Sequence, residues 1–377
     1  MGTLNVILKK TKEAIEQAKE SIVGKPMPEK PVMKVAMFGA RGVGKTSVLT
    51  SMYNNMNKAI EDTAFHIIAD SGTDFLLAGK TDDLKRMFFY GNDVNDAVLA
   101  GIAGDSVEST FVFDFGMKTE NISIGLEIKD FPGEYIRREK EIVKQYLRES
   151  NAILIAIDTP HMMECDGIFN EGKNRTSEIT GFFKEVLNQE SDSKLIMLVP
   201  LKCEKYYHEG KISQVTQMVE QTYAELIDFL SMKEKVKDSS NVSEEGRRYK
   251  FATVITPILT VGEIVFDGFQ MEDGKPAEVL FEGNRVPKQV NYKYQKPGAQ
   301  YSPKYCEQPL YYLLSFVAKQ YNEMKKESTE SGLFGKLKKM FAMEPEKSSL
   351  ILGLHKFRQK KVKDVDGFKV LTGSGKV

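Results

Sequence analysis

The chain has 377 residues, 41% of them hydrophobic and 28% charged, and its 53 basic residues balance 53 acidic ones. That composition is globular, with room for one large or two ordinary domains, and the zero net charge argues against a chain built as a whole to bind nucleic acid. Three cysteines without metal-like spacing, Cys165, Cys203 and Cys306, exclude a disulfide scaffold and suit a reducing cytoplasm, while no apolar run reaches the roughly 18 residues that cross a bilayer.

In chain order, residues 1–30 read as a short amphipathic helix and a linker: Leu4, Leu8, Ile15, Ala18 and Ile22 recur at helical steps until Pro26 and Pro28 break the pattern. A short apolar run, Val35 to Phe38, then meets a glycine-rich stretch and gives way to Ser47-Val48-Leu49, which reads as strand, loop and helix. Residues 54–109 form an insertion of mixed, mainly helical character. Phe111, Phe113 and Phe115 alternate on one face of a strand, and Ile122, Ile124, Leu126 and Ile128 on one face of the next. The polar segment 118–121 between them predicts an antiparallel hairpin.

The continuous apolar runs 152–157 and 195–199 suit parallel strands covered on both faces. A helical stretch over 212–230 and a further apolar run over 251–259 continue the alternation. The predicted fold is therefore α/β: a doubly wound, mostly parallel sheet with one antiparallel hairpin, filling residues 31–325. Residues 268–303 read as loop or short strand, and 309–321 as a final packed helix. Residues 326–377 form a basic tail, with twelve basic residues against six acidic ones.

The segment Gly39-Ala40-Arg41-Gly42-Val43-Gly44-Lys45-Thr46 fits the phosphate-binding pattern of a glycine, four free positions and Gly-Lys-Thr. Glycines let successive backbone N–H groups turn inward as an anion nest, closed by the positive end of the next helix, which begins near Ser47. Lys45 then reaches the β- and γ-phosphates and the Thr46 hydroxyl ligates Mg²⁺. A second acid for the metal is Asp130, at the end of a strand; Gly133 follows, placed to sense a γ-phosphate through its N–H.

This order of strand, P-loop, helix, switch region, hairpin and Asp-x-x-Gly resembles the P-loop GTPases of the translation-factor and Ras-like type. The resemblance implies GTP and GDP as ligands with Mg²⁺. It also implies a metal-binding threonine just before the first hairpin strand, where Thr110 stands ahead of the alternatives Thr63, Thr73 and Thr81. The position after the switch glycine usually orients the attacking water; here it is Glu134, whose charge beside a triphosphate favours slow or partner-assisted hydrolysis. Arg137 and Arg138, one turn further on, read as a solvated helix face, with neutralisation of the γ-phosphate as the alternative. In the family's guanine-reading motif this chain has Leu201-Lys202-Cys203-Glu204. Lys202 would lie along the base and Glu204 accept from guanine, with adenine or a relaxed site as alternatives, and Thr256 would contribute from the last base loop.

Lys202 to Glu204, Thr256 to Ile258 and Tyr305 to Leu310 further resemble a divergent bacterial branch, the double-GTPase-type proteins of conflict and defence gene clusters. That resemblance implies a switch working with partner proteins. In the tail, Leu333, Phe334, Leu337, Met340 and Phe341 share a helical face opposite lysines. Such a segment packs back on its own domain, docks in a partner's groove, or lies on an anionic membrane surface. A scaffold that holds nucleotide without turnover, and an ATP-specific P-loop enzyme, are the competing functional readings.

Overall fold

The computed structural model describes residues 30–61, 63–89, 94, 108–118, 123–188, 191–234, 248–281, 283–324, 353 and 367–377. The expected N-terminal helix, the hairpin turn over 119–122 and the amphipathic segment 332–341 lie outside the described residues.

Strand β1 (Val32–Phe38) leads through the glycine-rich loop into helix α1 (Lys45–Ile60), then β2 (Phe65–Ala69) and α2 (Ser71–Arg86). The hairpin follows as β3 (Ser109–Met117) and β4 (Ser123–Asp130), with α3 (Tyr135–Arg138) and α4 (Lys140–Glu149) after it. Next come β5 (Ala152–Asp158), α5 (Thr159–Met163), α6 (Asn170–Asn174), α7 (Thr176–Val186) and β6 (Leu195–Leu201). Helices α8 (Glu204–His208), α9 (Ile212–Thr222) and α10 (Ala224–Leu230) precede β7 (Ala252–Ile255). A small antiparallel excursion holds β8 (Ile264–Phe269), β9 (Glu278–Phe281), β10 (Asn284–Pro287) and β11 (Val290–Tyr294), before α11 (Gln308–Met324) and β12 (Lys369–Thr372).

The eight-stranded sheet runs β12-β7-β6-β5-β1-β4-β3-β2. β1 pairs in parallel with both β4 and β5, β5 with β6, and β6 with β7, whereas β3, β2 and β12 run antiparallel to their neighbours. This is the doubly wound, mostly parallel sheet with one hairpin that the apolar patterning predicts. All seven residues of β5 and all seven of β6 are buried, because helices cover both faces.

On one face, Val35 and Met37 of β1 and the phenylalanines of β3 pack with Val48, Leu49 and Met52 of α1 and Leu313 and Phe316 of α11. On the other, Ala36 and Phe38 meet Val143 and Leu147 of α4, Phe183 of α7 and Val215 of α9. Phe38 sits among three rings, Phe131, Phe182 and Phe183, with centroids 5.8–6.2 Å away. Replacing a phenylalanine so enclosed by alanine costs about 3–5 kcal/mol, which fixes the strand that launches the loop.

Two expectations need correction. The insertion is not wholly helical: β2 adds an edge strand to β3, with Phe65 against Phe115 at 4.7 Å, and only then does α2 begin. Its helical start is set by Asp70, whose side chain accepts from Thr73 N. Nor is the region after residue 326 entirely a tail, because β12 pairs with β7 and Val377 is buried. The only cue in the sequence was a short β-prone run, Phe368 to Leu371, too brief to separate from a charged tail.

Candidate functional site

The strand order reverses at β1, which has β4 on one side and β5 on the other. Ligands of open α/β sheets bind beyond the carboxyl ends of the strands at such a reversal. Residues 39–44 occupy that point. Gly39, Gly42 and Gly44 have φ of 143°, 71° and 111°, the left-handed region that only glycine enters without strain. Gly39 is constrained twice over, since a methyl group there would lie 2.9 Å from the Ala156 carbonyl oxygen. Gly44 caps α1 with no side-chain bond of its own, so the first-turn N–H groups are left to another acceptor. Ala40 and Val43 are buried, Arg41 is exposed, and Ser47 is half-buried in the first turn.

Lys45 folds back over the loop. Its Nζ donates to the carbonyl of Gly39 at 2.9 Å and of Ala40 at 3.4 Å, and stands 3.9 Å from Asp130 Oδ1. Burial pulls its ammonium below the ordinary lysine range, opposed by the carboxylates of Asp130 and Glu134. Thr46 Oγ1 donates to Asp130 Oδ2 at 3.1 Å. A hydroxyl and a carboxylate oxygen, converged from α1 and β4, form the hard donor set that Mg²⁺ takes.

Gly133 lies against the loop: a methyl group there would sit 2.5 Å from Arg41 N and 2.8 Å from the Ala40 carbonyl carbon. Glu134 next to it faces Arg41, with Oε1 3.7 Å from Nη1. Arg137 is tied to Glu178 of α7, with Nε 2.7 Å from Oε1, a surface role as expected.

Thr110 does not join this group. Ser109 is the residue opposite Asp130, and Thr110 pairs with Lys129. Side chains alternate across a strand, so Thr110 shares the face of Lys129, on the side of the sheet away from Thr46. The register follows from burying Phe111, Phe113 and Phe115, which leaves Thr110 exposed. The sequence between β2 and β3 that precedes it, residues 101–107, lies outside the described residues.

At the other end of the edge, Lys202 has a positive φ of 57°. Its Nζ donates to the Gly42 carbonyl at 3.1 Å and to Asp158 Oδ2 at 2.6 Å. Burial opposes its charge, but Asp158 and a hydrogen bond with Tyr292 outweigh that and hold the ammonium above its ordinary range. Asp158 is fully buried at the end of β5. Burial disfavours its charge, yet the pull of His161 and then Lys202 keeps its carboxyl far below the usual range. His161 Nδ1 lies 2.6 Å from Asp158 Oδ1, and burial holds the imidazole below its ordinary value against that carboxylate.

Glu204 and Thr256 are turned inward. Glu204 Oε1 accepts from Val261 N at 3.1 Å and Gly262 N at 3.3 Å, and its carboxyl is raised by burial against those donors. Glu204 is thereby engaged by the 260–262 backbone, which needs an acceptor, and is not open to a base edge. Thr256 is fully buried and its N–H continues the ladder to Leu198 O at 2.9 Å. The residues that patterning missed are Asp158, His161, Tyr292 and Lys173, whose Nζ donates to the Arg41 carbonyl at 2.8 Å. An acid closing a buried strand was a legible cue for Asp158. No local signal marks the other three.

No protein-family model and no curated protein matches the chain. Among solved structures it is similar to the GTPase-like domain of Ski7 from S. cerevisiae, bound to GDP and inorganic phosphate and, separately, bound to GTP. Each is 15% identical over 61% of this chain with a TM-score of 0.35, and the match spans 44% and 43% of those chains, under half their length.

Proposed function

We propose that the chain is a Mg²⁺-dependent GTP-binding switch that slowly hydrolyses the β–γ phosphoanhydride. The observation that carries this reading is the cradle itself. Three left-handed glycines, a buried lysine folded over them and the converged Thr46–Asp130 oxygens sit at the strand-order reversal. Backbone N–H groups and Lys45 would hold the triphosphate and the charge that develops as water attacks in line. Thr46 and Asp130 would hold Mg²⁺, which supplies neutralisation of the β- and γ-oxygens. Gly133, in contact with the loop backbone, would report the γ-phosphate, and Glu134 would orient water or slow its attack.

Guanine is the proposed base, in line with the GTP- and GDP-bound Ski7 domain. The inward turn of Glu204 and Thr256 favours a second reading, a relaxed base site or a nucleotide-holding scaffold. A cytoplasmic setting among partner proteins, in a bacterial defence complex, belongs to the same proposal, as do the tail's contacts with a partner or an anionic membrane. Among the described residues no helix is long and apolar enough to cross a membrane.

Lys45→Ala is expected to abolish nucleotide binding in calorimetry, and unchanged affinity would remove the site. Competition of GTP against ATP for one fluorescent nucleotide decides the base. Phosphate release that is absent in the wild type, or that survives Lys45→Ala, rules out turnover at this loop.

A further inference from the structure

Helix α6 has no part in the reading above, yet it delivers a charge to the loop. Lys173 Nζ donates to the carbonyl of Arg41 at 2.8 Å and lies 3.3 Å from where a side chain on Gly42 would begin. The helix that carries it is clamped from three sides. Asn174 accepts from Asp158 N at 2.8 Å and donates to Asp158 O at 3.0 Å, which seats α6 on the end of β5. Arg175 ends the helix in the left-handed region. Gly172 lies so close to the Arg285 carbonyl of β10 that no side chain fits between them. A lysine on so fixed a support is preorganised.

Its surroundings are too cationic for a lysine whose only business is the Arg41 carbonyl. The charges of Lys202 just after β6, Lys45 at the start of α1 and Arg175 at the cap of its own helix all act on it, with Asp158 the acid among them; Arg285 belongs to the strand packed on Gly172. Burial, followed by the repulsion of Lys202, lowers its ammonium to about 8. A polyanion at the loop would relieve that repulsion.

We propose that Lys173 is a second cationic contact for the bound polyphosphate, supplied by the chain itself from α6 to the Arg41–Gly42 side of the loop. This rests on the reading of residues 39–46 as a phosphate site. It assigns Lys173 to ligand affinity, with the Arg41 carbonyl as its partner when no anion is bound. Anion binding then draws a proton onto the lysine as its charged form becomes favoured.

The test is titration calorimetry of the full chain with Mg²⁺ and a slowly hydrolysed GTP analogue, and with inorganic tripolyphosphate as a base-free probe. Two buffers of different ionisation enthalpy count the protons. The wild type is expected to take up little at pH 7 and a substantial fraction of a proton at pH 9. Lys173→Met should bind both probes about ten-fold more weakly, as the loss of one charge-assisted bond implies. It should also take up fewer protons at pH 9. Lys173→Arg should keep the affinity and lose the same part of the uptake.

Equal affinity and equal uptake in wild type and Lys173→Met, while Lys45→Ala abolishes binding, would overturn the inference and leave the phosphate site standing. Binding that survives Lys45→Ala would instead remove the site itself. Should Lys173→Met not fold, absence of uptake at pH 9 in the wild type is sufficient to reject the proposal.

Discussion

The two ends of the carboxyl edge are built differently. At the glycine-loop end the groups that matter are backbone atoms, held by Gly39, Gly42, Gly44 and Gly133, and the side chains Lys45, Thr46 and Asp130 bond to the loop and to one another. Toward β6 the polar side chains are consumed by the protein: Glu204 by two backbone N–H groups, and Asp158 by His161 and by Lys202, which also reaches the Gly42 carbonyl. A glycine's requirement is local, set by φ and a close neighbour. A buried carboxylate takes whichever donors the tertiary fold brings to it, because leaving it unpaired costs more than any ligand contact could return.

The sharpest break of that comparison is Gly133→Ala. A methyl group 2.5 Å from Arg41 N must displace either the loop or the turn after β4. A displaced loop loses N–H contacts to a charged ligand worth about 1.5–3 kcal/mol each, so nucleotide affinity should fall about ten- to a hundred-fold while circular dichroism stays near wild type. Unchanged affinity would mean that the loop is not where the ligand is held.

Asp158→Ala tests the opposite end. It leaves Lys202 and His161 around an empty buried position, and breaking a buried pair from one side costs about 3–5 kcal/mol. Urea unfolding reads this directly, and a loss under about 1 kcal/mol would show that the pair is solvated. The carboxyl titrates far below its unfolded value, near 3.9. Its contribution is therefore present above that pH and lost as the pH falls through the folded value.

Glu204→Gln keeps an acceptor oxygen for Val261 and Gly262 and should cost about 1 kcal/mol, with the ratio of GTP to ATP affinity unmoved. A ratio that collapses in this variant would return Glu204 to base recognition and erase the contrast between the two ends. The last prediction concerns pH dependence. With its folded value near 8 against about 10.4 unfolded, Lys173 binds fewer protons when folded, so stability rises with pH across that window. Thermal unfolding of Lys173→Met should lack this part of the rise, and identical slopes would show Lys173 to be solvated.

Much of the fold was written in short-range patterns. The runs at 152–157 and 195–199 are apolar at every position, and burial on both faces is the only stable use of such strands. The alternation of Phe111, Phe113 and Phe115 set the hairpin. β2 and β12 escaped notice because short edge strands carry little pattern of their own and are recruited by a neighbour's open backbone groups. Thr110 was misplaced for a related reason: sequence distance to the hairpin says nothing of which face a residue takes until the register with Asp130 is known.

The chain by itself determined the loop, its lysine and the acid at the end of β4, since glycine spacing and strand-helix punctuation are local and carry their own conformational logic. Only the tertiary structure decided which other charges gather there. Lys173 comes from a helix seated on β5, Glu204 is drawn to a loop more than fifty residues away, and Asp158 is paired by Lys202 after β6 and His161 of α5. Electrostatic partnership depends on distance and burial, and neither is recorded in the order of residues until the sheet has been assembled.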